Sequence, residues 1–247
     1  FNQEVSINPV GQMPKQSKGT QPTVAVIGCG PGGMFFLHAL ETRRRELQAK
    51  GDTEGLASLP IATCFEKSSE PGGVWRAKRG ESDSTNMYEA LWTNGPKEGI
   101  EFFDYHFDDH FHRPLPVYMP RQPLLEYMLC RVTRNCPHFF DAVRFNTSVT
   151  SVVYNEEAEK FIIFSTDYET GKETTEEFDK CIWAAGENGK PRMPTSISTM
   201  LESGGFKGKA MHSSATENFE ADVKGKKVVF IGDAYSSEDL ALQAVKL

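Results

Sequence analysis

A glycine-rich turn between an apolar strand and a helix is the segment of this sequence with the most definite chemistry. Residues 23–34 read TVAVIGCGPGGM, a β-branched apolar run that breaks into glycines and then into a helical pattern. Gly28 permits the tight turn, Gly30 lets the backbone approach a pyrophosphate, and Gly33 lets the helix lie close to the strand. The amides from about Gly32 onward would face the phosphates at the positive end of the helix dipole. The pattern therefore predicts a dinucleotide-binding turn.

An acidic residue at the end of the next predicted strand is the expected partner of that turn. The run at 61–66 ends at Glu66, where a ribose hydroxyl of the dinucleotide needs an acceptor. The gap from the glycines exceeds the usual distance of about 20 residues, because a polar loop at 51–60 follows the predicted helix. The alternative is an ordinary solvated carboxylate that pairs with Lys67.

A second glycine turn, EPGGVW at 70–75, follows this acid directly. A flexible turn beside an aromatic residue could wrap the ribityl chain of a flavin. The combination of the acid and the second turn therefore favours a flavin over a nicotinamide cofactor at the first turn.

A related but weaker pattern occurs near the other end of the sequence. The apolar run at 228–231 is predicted to be a strand buried on both faces, and it leads to Gly232 and a helix. Ala234 and Ser237 stand where the second and third glycines would be. Taken alone, this is only weak evidence for a second nucleotide-binding turn.

The composition excludes several classes of protein. The 247 residues are 38% hydrophobic and 25% charged, which suits a globular protein with a substantial core. The formal net charge of −7 argues against a nucleic-acid partner. The five cysteines contain no Cys-x-x-Cys pair, which argues against a thiol-disulfide flavoenzyme or a zinc site and fits a reducing, cytoplasmic compartment. No run approaches about 18 apolar residues, so no membrane span is predicted.

The sequence divides into three regions. Residues 1–22 are predicted to be a polar N-terminal extension, 23–196 a domain that begins with the predicted flavin-binding turn, and 197–247 a linker followed by the weaker second nucleotide-binding pattern. Within the second region the pattern changes to period two, which predicts a β-meander with strands near 143–154, 160–166 and 174–183.

Two further segments of the middle region have definite patterns. Residues 121–133 are predicted to form an amphipathic helix. Residues 101–112 mix His and Asp with phenylalanines, and we interpret them as a core-facing aromatic wall, with Phe103 among its members, rather than as a metal site. No metal is expected.

Three motifs together resemble the flavin-containing monooxygenases, closest to their bacterial trimethylamine monooxygenase branch. They are GCGPGG at 28–33, FEKSSEPGGVW at 65–75 and MYEALWTNGPKE at 87–98, and the resemblance runs from about Val24 to the last residue. It implies an α/β fold: a doubly wound, Rossmann-like FAD-binding domain with a β-meander, plus the start of a second Rossmann-like domain that binds NADPH.

The resemblance also implies an activity. NADPH would reduce FAD, and O₂ would add to form a flavin hydroperoxide. A tertiary amine such as trimethylamine, or a sulfide, would then take one oxygen atom from it. The segment 206–213 matches the first part of the family's Phe-x-Gly-x-x-x-His-Ser signature, but Thr216 replaces the expected aromatic residue. The Thr and Trp of the Baeyer–Villiger form are absent as well, which modestly favours heteroatom oxygenation over lactone formation.

Asn94 is the expected active-site residue, because a side-chain amide can donate and accept at the flavin edge without carrying a charge. The alternative for it is a turn-forming Asn-Gly pair. By resemblance Tyr235 would stand near the flavin as a second catalytic residue, and the alternative for it is an exposed residue at a helix start. The predicted cofactor-binding residues, for FAD and NADPH together, are Gly28, Gly30, Pro31, Gly32, Gly33, Glu66, Lys67, Gly73, Val74, Trp75, Thr93, Asn94, Val149, Ala185, Gly186, Gly232, Tyr235, Ser236 and Ser237.

Other functions stay open at this point. Members of the family continue for well over a hundred further residues, so we expect a homo-oligomer or a complementary C-terminal chain. A non-catalytic flavin-binding protein, a simple flavin reductase and a Baeyer–Villiger monooxygenase are the alternatives.

Overall fold

The computed structural model describes most of the chain from Gln21 onward. Nearly all of the predicted N-terminal extension lies outside the described residues, which are 21–76, 87, 91–186, 191–216 and 218–247. The strands are β1 (Thr23–Ile27), β2 (Ile61–Phe65), β3 (Val143–Arg144), β4 (Thr147–Asn155), β5 (Lys160–Asp167), β6 (Glu173–Phe178) and β7 (Lys180–Trp183). The helices are α1 (Pro31–Lys50), α2 (Thr53–Ser58), α3 (Phe107–Phe111), α4 (Arg121–Thr133), α5 (Thr195–Ser203), α6 (Phe219–Val223) and α7 (Tyr235–Lys246).

A parallel sheet in the order β3-β2-β1-β7 forms the centre of the fold. Its strand β1 has neighbours on both sides and is covered on both faces, so that Val24, Ala25 and Val26 are at most 1% exposed. This explains why its sequence is continuously apolar rather than alternating. The α/β prediction is confirmed.

The helices α1 and α4 cover one face of this sheet. Met34 and Leu37 of α1 pack with Cys64 of β2 and Val132 of α4 in one buried cluster. The α4 helix has the bounds predicted from its amphipathic pattern. The predicted polar loop at 51–60 is wrong, since it contains α2, whose start is stabilised where Asp52 accepts a hydrogen bond from the Gly55 amide at 2.8 Å.

The antiparallel meander β4-β5-β6 covers the other face of the parallel sheet. Ile163 and Phe178 of the meander pack on Ala25, Ile27 and Phe65 of the sheet. The glycine turn after β1 therefore lies at the end of a sheet that is covered on both faces.

The predicted meander strands at its two ends are too long. The stretch 143–154 is divided at Asn146, which has a φ of +54°, so that β3 joins the parallel sheet and β4 the meander. The stretch 174–183 is divided at Asp179, which is hydrogen-bonded to the Thr23 amide at 2.7 Å. In both places a continuous period of two spans two strands of different sheets.

The expected strand at 228–231 is also wrong. Among the described residues this segment pairs with no strand, and Val229 and Ile231 are 84% and 63% exposed. A strand needs hydrogen-bonded neighbours, and an apolar run alone does not supply them. In the described part of the chain, no helix has the length and apolar character to cross a membrane.

Candidate cofactor site

The first glycine turn is closed so tightly that two of its glycines cannot carry a side chain. Gly28 has a φ of +99°, donates to the Phe65 carbonyl at 2.8 Å, and leaves only 2.6 Å between a Cβ placed on it and the Ala184 oxygen. A Cβ on Gly33 would lie 2.0 Å from the Gly28 oxygen. The close approach of helix α1 to the turn therefore depends on glycine at both positions, as the sequence pattern predicts.

The start of helix α1 is open toward an anion. Its N-cap is Gly30, which has no side chain with which to cap the helix, and Pro31 occupies the first turn of the helix. Gly32 is exposed, and a Cβ on it would meet only the Ala184 methyl at 3.6 Å. Amides of a first helical turn have no acceptor within their own helix, so a phosphate group fits here.

The second glycine turn packs directly on the first. The Gly72 amide donates to the Cys29 carbonyl at 2.9 Å, and a Cβ on Gly73, whose φ is +55°, would lie 2.9 Å from the Gly30 Cα. Among the described residues, Gly73 alone has atoms within 4 Å of a Cβ placed on Gly30. The two turns thus form one backbone cradle without side chains, which suits a flavin dinucleotide.

Glu66 lies at the base of this cradle and is only 5% exposed. One carboxylate oxygen accepts from the Cys29 amide at 2.6 Å and the other from the Ser68 amide at 2.8 Å. The alternative of a solvated strand-end carboxylate is therefore wrong. A carboxylate offers about four acceptor positions, so Glu66 retains capacity for a ribose hydroxyl, and that role stays a prediction.

Two buried thiols lie beneath the turn. Cys29 and Cys64 are both fully buried, and the Cys64 thiol lies 3.6 Å from the Gly28 oxygen. A hydrogen bond with Cys29, together with burial, raises the pKa of Cys64 far above its ordinary value. The Cys64 thiol therefore adds no negative charge beneath the turn.

Trp75 connects the second turn to the hydrophobic core. Its side chain packs on the cluster that contains Tyr127, and its carbonyl accepts a hydrogen bond from Arg121, which is 3% exposed. Val74 is half-buried and Lys67 is exposed. The cofactor-binding roles of these residues stay predictions.

Asn94 is exposed on a segment that runs alongside the residues before α4. Trp92 and Pro120 form an antiparallel bridge, and the Thr93 amide donates to the Met119 carbonyl at 2.9 Å. The Arg121 amide donates to the Leu91 carbonyl at 2.9 Å. Because the Arg121 side chain also contacts Trp75, this arginine connects the Asn94 segment to the second glycine turn, a link with no sequence signal of its own.

Two of the remaining predicted residues, Ala185 and Gly186, directly follow a residue that is hydrogen-bonded to the end of β1. The Ala184 amide donates to the Ile27 carbonyl at 2.9 Å, and the exposed Ala185 and Gly186 follow it, Gly186 with a φ of +84°. Val149 instead packs between the meander and the sheet.

The residues around Gly232 form a separate helix start. The Ser237 hydroxyl donates to the Gly232 carbonyl at 2.9 Å, Ser236 is exposed, and Tyr235 is 67% exposed at the beginning of α7. Within the described residues, no hydrogen bond or ring contact joins Tyr235 to Asn94.

The aromatic segment before α4 is a core element, with one correction. Phe102, Phe107 and Phe111 pack on Tyr127 as expected, but Phe103 is 88% exposed.

Comparisons with known proteins agree with this geometry. The chain matches the family described as Flavin-binding monooxygenase-like over residues 23–247. It is 36% identical over 230 residues to the trimethylamine monooxygenase of Pelagibacter ubique (strain HTCC1002), a match that covers 90% of this chain and 48% of that protein. It is 29% identical over 226 residues to flavin-containing monooxygenase 5 of Rattus norvegicus, covering 89% and 37%. The chain thus spans about half, or less, of the length of these relatives.

Solved structures give the same result. The crystal structure of Tmm from Pelagibacter sp. strain HTCC7211 aligns with a TM-score of 0.74 at 35% identity, over 91% of this chain and 48% of that one. An ε-caprolactone-bound cyclohexanone monooxygenase aligns with a TM-score of 0.54 at 20% identity, over 90% and 37%, which shows a shared fold only.

Proposed function

Because this chain belongs to the flavin-binding monooxygenase-like family, we propose that it serves an NADPH- and O₂-dependent oxygenation of a tertiary amine such as trimethylamine, with FAD held at the two glycine turns. The observation that carries the substrate class is the 36% identity over 230 residues to a protein named trimethylamine monooxygenase. FAD, when bound, supplies the oxygenating chemistry, and the protein supplies binding, orientation and exclusion of water.

The cradle of the two turns fits each part of the dinucleotide. The exposed start of α1 at Gly32 takes the pyrophosphate, and the lack of a side chain on Gly30 lets the phosphate approach the backbone. Glu66 accepts from a ribose hydroxyl while it continues to hold the Cys29 amide. The turn at Gly73 then follows the ribityl chain.

Asn94 is the residue of this chain that we assign to the oxygenation step. Its amide can donate and accept hydrogen bonds without exchanging a proton, so it can orient groups at the flavin edge without protonating them. Tyr235, exposed at the start of α7, is proposed to contribute from the NADPH side. A sulfide is the alternative substrate, since a thioether sulfur is also a soft nucleophile.

The cofactor assignment is tested with Gly30→Val. The backbone of Gly30, with a φ of −73°, suits any residue, and only Gly73 approaches its Cβ position, at 3.5 Å. We therefore expect the variant to fold but to lose flavin absorbance. The matched control is Gly99→Val, at a position with no atom within 4 Å of a Cβ. Equal flavin per protein in Gly30→Val and the parent would contradict the placement.

The activity is tested with FAD-loaded protein, NADPH and three substrates. Trimethylamine should give its N-oxide with NADPH oxidation that depends on the amine, dimethyl sulfide should react more slowly, and cyclohexanone should give no lactone. Lactone formation would favour the Baeyer–Villiger alternative. Flavin binding without amine-dependent turnover would contradict the proposed activity and leave the cofactor assignment in place.

A further inference from the structure

We propose that Thr93 is a positioning residue that fixes Asn94 and does not donate a hydrogen bond to the cofactor. The proposal rests on the assignment of Asn94 to the active site given above. It gives Thr93 a different role from the cofactor-binding one that its place in the motif predicts.

The hydroxyl group of Thr93 is committed to two protein partners. It donates to the Gly95 carbonyl at 2.8 Å and accepts from the Met119 amide at 2.9 Å. A threonine hydroxyl has a single hydrogen to donate. Because that hydrogen is directed at Gly95, the hydroxyl cannot also donate to a flavin or nicotinamide acceptor.

The bond from Thr93 to Gly95 spans Asn94. It closes a short ring through the side chain of Thr93 and the backbone of Asn94, a local turn of the kind that hydroxyl side chains form with nearby backbone groups. The backbone angles of Asn94 are therefore restrained on both of its sides.

A second set of contacts anchors this ring to the rest of the fold. The Thr93 amide donates to the Met119 carbonyl at 2.9 Å, so that Thr93 exchanges two hydrogen bonds with the fully buried Met119. Two residues further on, Arg121 contacts Trp75 of the second glycine turn. Thr93 is thus a point, directly beside Asn94, at which this segment is attached to the frame of the cradle.

The side chain of Asn94 has no comparable restraint of its own. It is exposed, and within the described residues no hydrogen bond to the protein involves its amide group. Its direction therefore depends on the backbone that Thr93 holds. A misplacement on the order of 1 Å of a reacting or orienting group can lower a rate by about a hundredfold.

The structural arm of the test is hydrogen exchange at the Met119 amide. Thr93→Val keeps the shape of the side chain but removes both hydroxyl bonds, so exchange at Met119 should accelerate about tenfold. Thr93→Ser should restore the parent rate. Thr133→Val is the matched control, because the Thr133 hydroxyl bonds only to the Leu129 carbonyl of its own helix.

The functional arm compares flavin binding with coupling in FAD-loaded protein. Thr93→Val should bind flavin as tightly as the parent, while N-oxide formed per NADPH falls about tenfold and hydrogen peroxide rises. Asn94→Ala should lower the same ratio by about a hundredfold. Adding Thr93→Val to Asn94→Ala should cause no further loss, because Thr93 acts through Asn94.

Two outcomes would overturn the proposal. One is a loss of flavin affinity in Thr93→Val that Thr93→Ser does not share, which would make Thr93 a cofactor ligand. The other is a full additional loss of coupling in the double variant, which would make its effect independent of Asn94. If the parent protein forms no N-oxide at all, the proposed function fails, whereas the exchange and flavin measurements still report on Thr93.

Discussion

The two helix starts that follow apolar runs, at Gly28 and at Gly232, share a sequence pattern but differ in structure. In the first, the Cα of Gly33 lies so close to the Gly28 carbonyl that a Cβ would be 2.0 Å from its oxygen. In the second, Ser237 occupies the corresponding place and its hydroxyl donates to the Gly232 carbonyl at 2.9 Å. The same carbonyl position thus meets a helix backbone in one turn and a side chain in the other.

The apolar segments before the two turns differ as well, since only the first of them is a paired and buried strand. β1 is paired on both sides and buried on both faces, whereas Val229 and Ile231 are largely exposed and unpaired among the described residues. A glycine turn is therefore tight where a sheet holds the strand and the helix on either side of it. The local sequence pattern predicts that a turn occurs, but its geometry depends on the strands that pair beside it.

Among changes within the two turns themselves, the largest effect is expected at Gly33. Gly33→Ala forces a methyl group against the Gly28 oxygen, and both partners are backbone, so we expect a loss of more than about 4 kcal/mol in the free energy of unfolding. Urea denaturation followed by circular dichroism measures it.

The matched change in the second turn is Ser237→Ala. It removes one hydroxyl bond at a partly exposed site and should cost less than about 1 kcal/mol. Equal losses of unfolding free energy in Gly33→Ala and Ser237→Ala would show that the two turns are packed alike, which would contradict the difference described above.

The next largest effect is expected at Glu66. In Glu66→Gln one oxygen is replaced by an NH₂ group, which would face either the Cys29 or the Ser68 amide, and two donors cannot bond to each other. We expect a loss of about 2 kcal/mol in unfolding free energy, together with weaker flavin binding. Glu157→Gln, on an exposed turn of the meander, is the control and should have no measurable effect. An unchanged Glu66→Gln would mean that the carboxylate does not hold the turn.

Much of the fold around the first turn follows from the sequence. The apolar run, the glycines and the amphipathic stripe locate β1, the turn and α1, and α4 has its predicted bounds. The wrongly predicted strand boundaries occur where the pairing between strands, rather than the local sequence, determines the sheet to which a residue belongs. At Asn146 and Asp179 the alternation continues across the boundary between two sheets, because each sheet buries one side of the same run.

The candidate site divides in a similar way. Backbone requirements leave a local signal, so the glycines of both turns could be found from their spacing, and Glu66 from its place at the end of the next predicted strand. The contacts between Thr93 and Met119 and between Arg121 and Trp75 could not, because they join segments 26 and 46 residues apart and involve side-chain types that are common everywhere. Such contacts depend on how the elements pack.

A smaller effect, dependent on pH, is expected at the beginning of β1. Asp179 accepts from the Thr23 amide and hydroxyl and pairs with Lys160, and the Lys160 bond, followed by that of Thr23, lowers the pKa of Asp179 to about 2. A lowered folded-state pKa gives stability that is complete above the unfolded value near 3.8 and is lost as the pH falls toward 2. Because the side chain is 35% exposed, we expect only about 1 kcal/mol.

The measurement is the difference in unfolding free energy between the parent and Asp179→Asn from pH 7 to pH 3. The difference should be constant near neutral pH and shrink below pH 4. Asp141→Asn, at a carboxylate 77% exposed, serves as the control. If the difference in unfolding free energy grows on acidification, its sign is opposite to the expected one, and Asp179 does not stabilise the beginning of β1 through its carboxylate.

The smallest effect is expected where the second apolar run is exposed. Val229→Lys, alone or with Ile231→Lys, places charges at positions that are 84% and 63% exposed, so the free energy of unfolding should change by less than about 0.5 kcal/mol. Light scattering should fall, since exposed apolar side chains promote association. Val26→Lys, in the corresponding run before the first turn, places a charge at a fully buried position and should prevent folding. If Val229→Lys instead costs more than about 2 kcal/mol, the segment is buried in solution and the two turns are more alike than their exposure indicates.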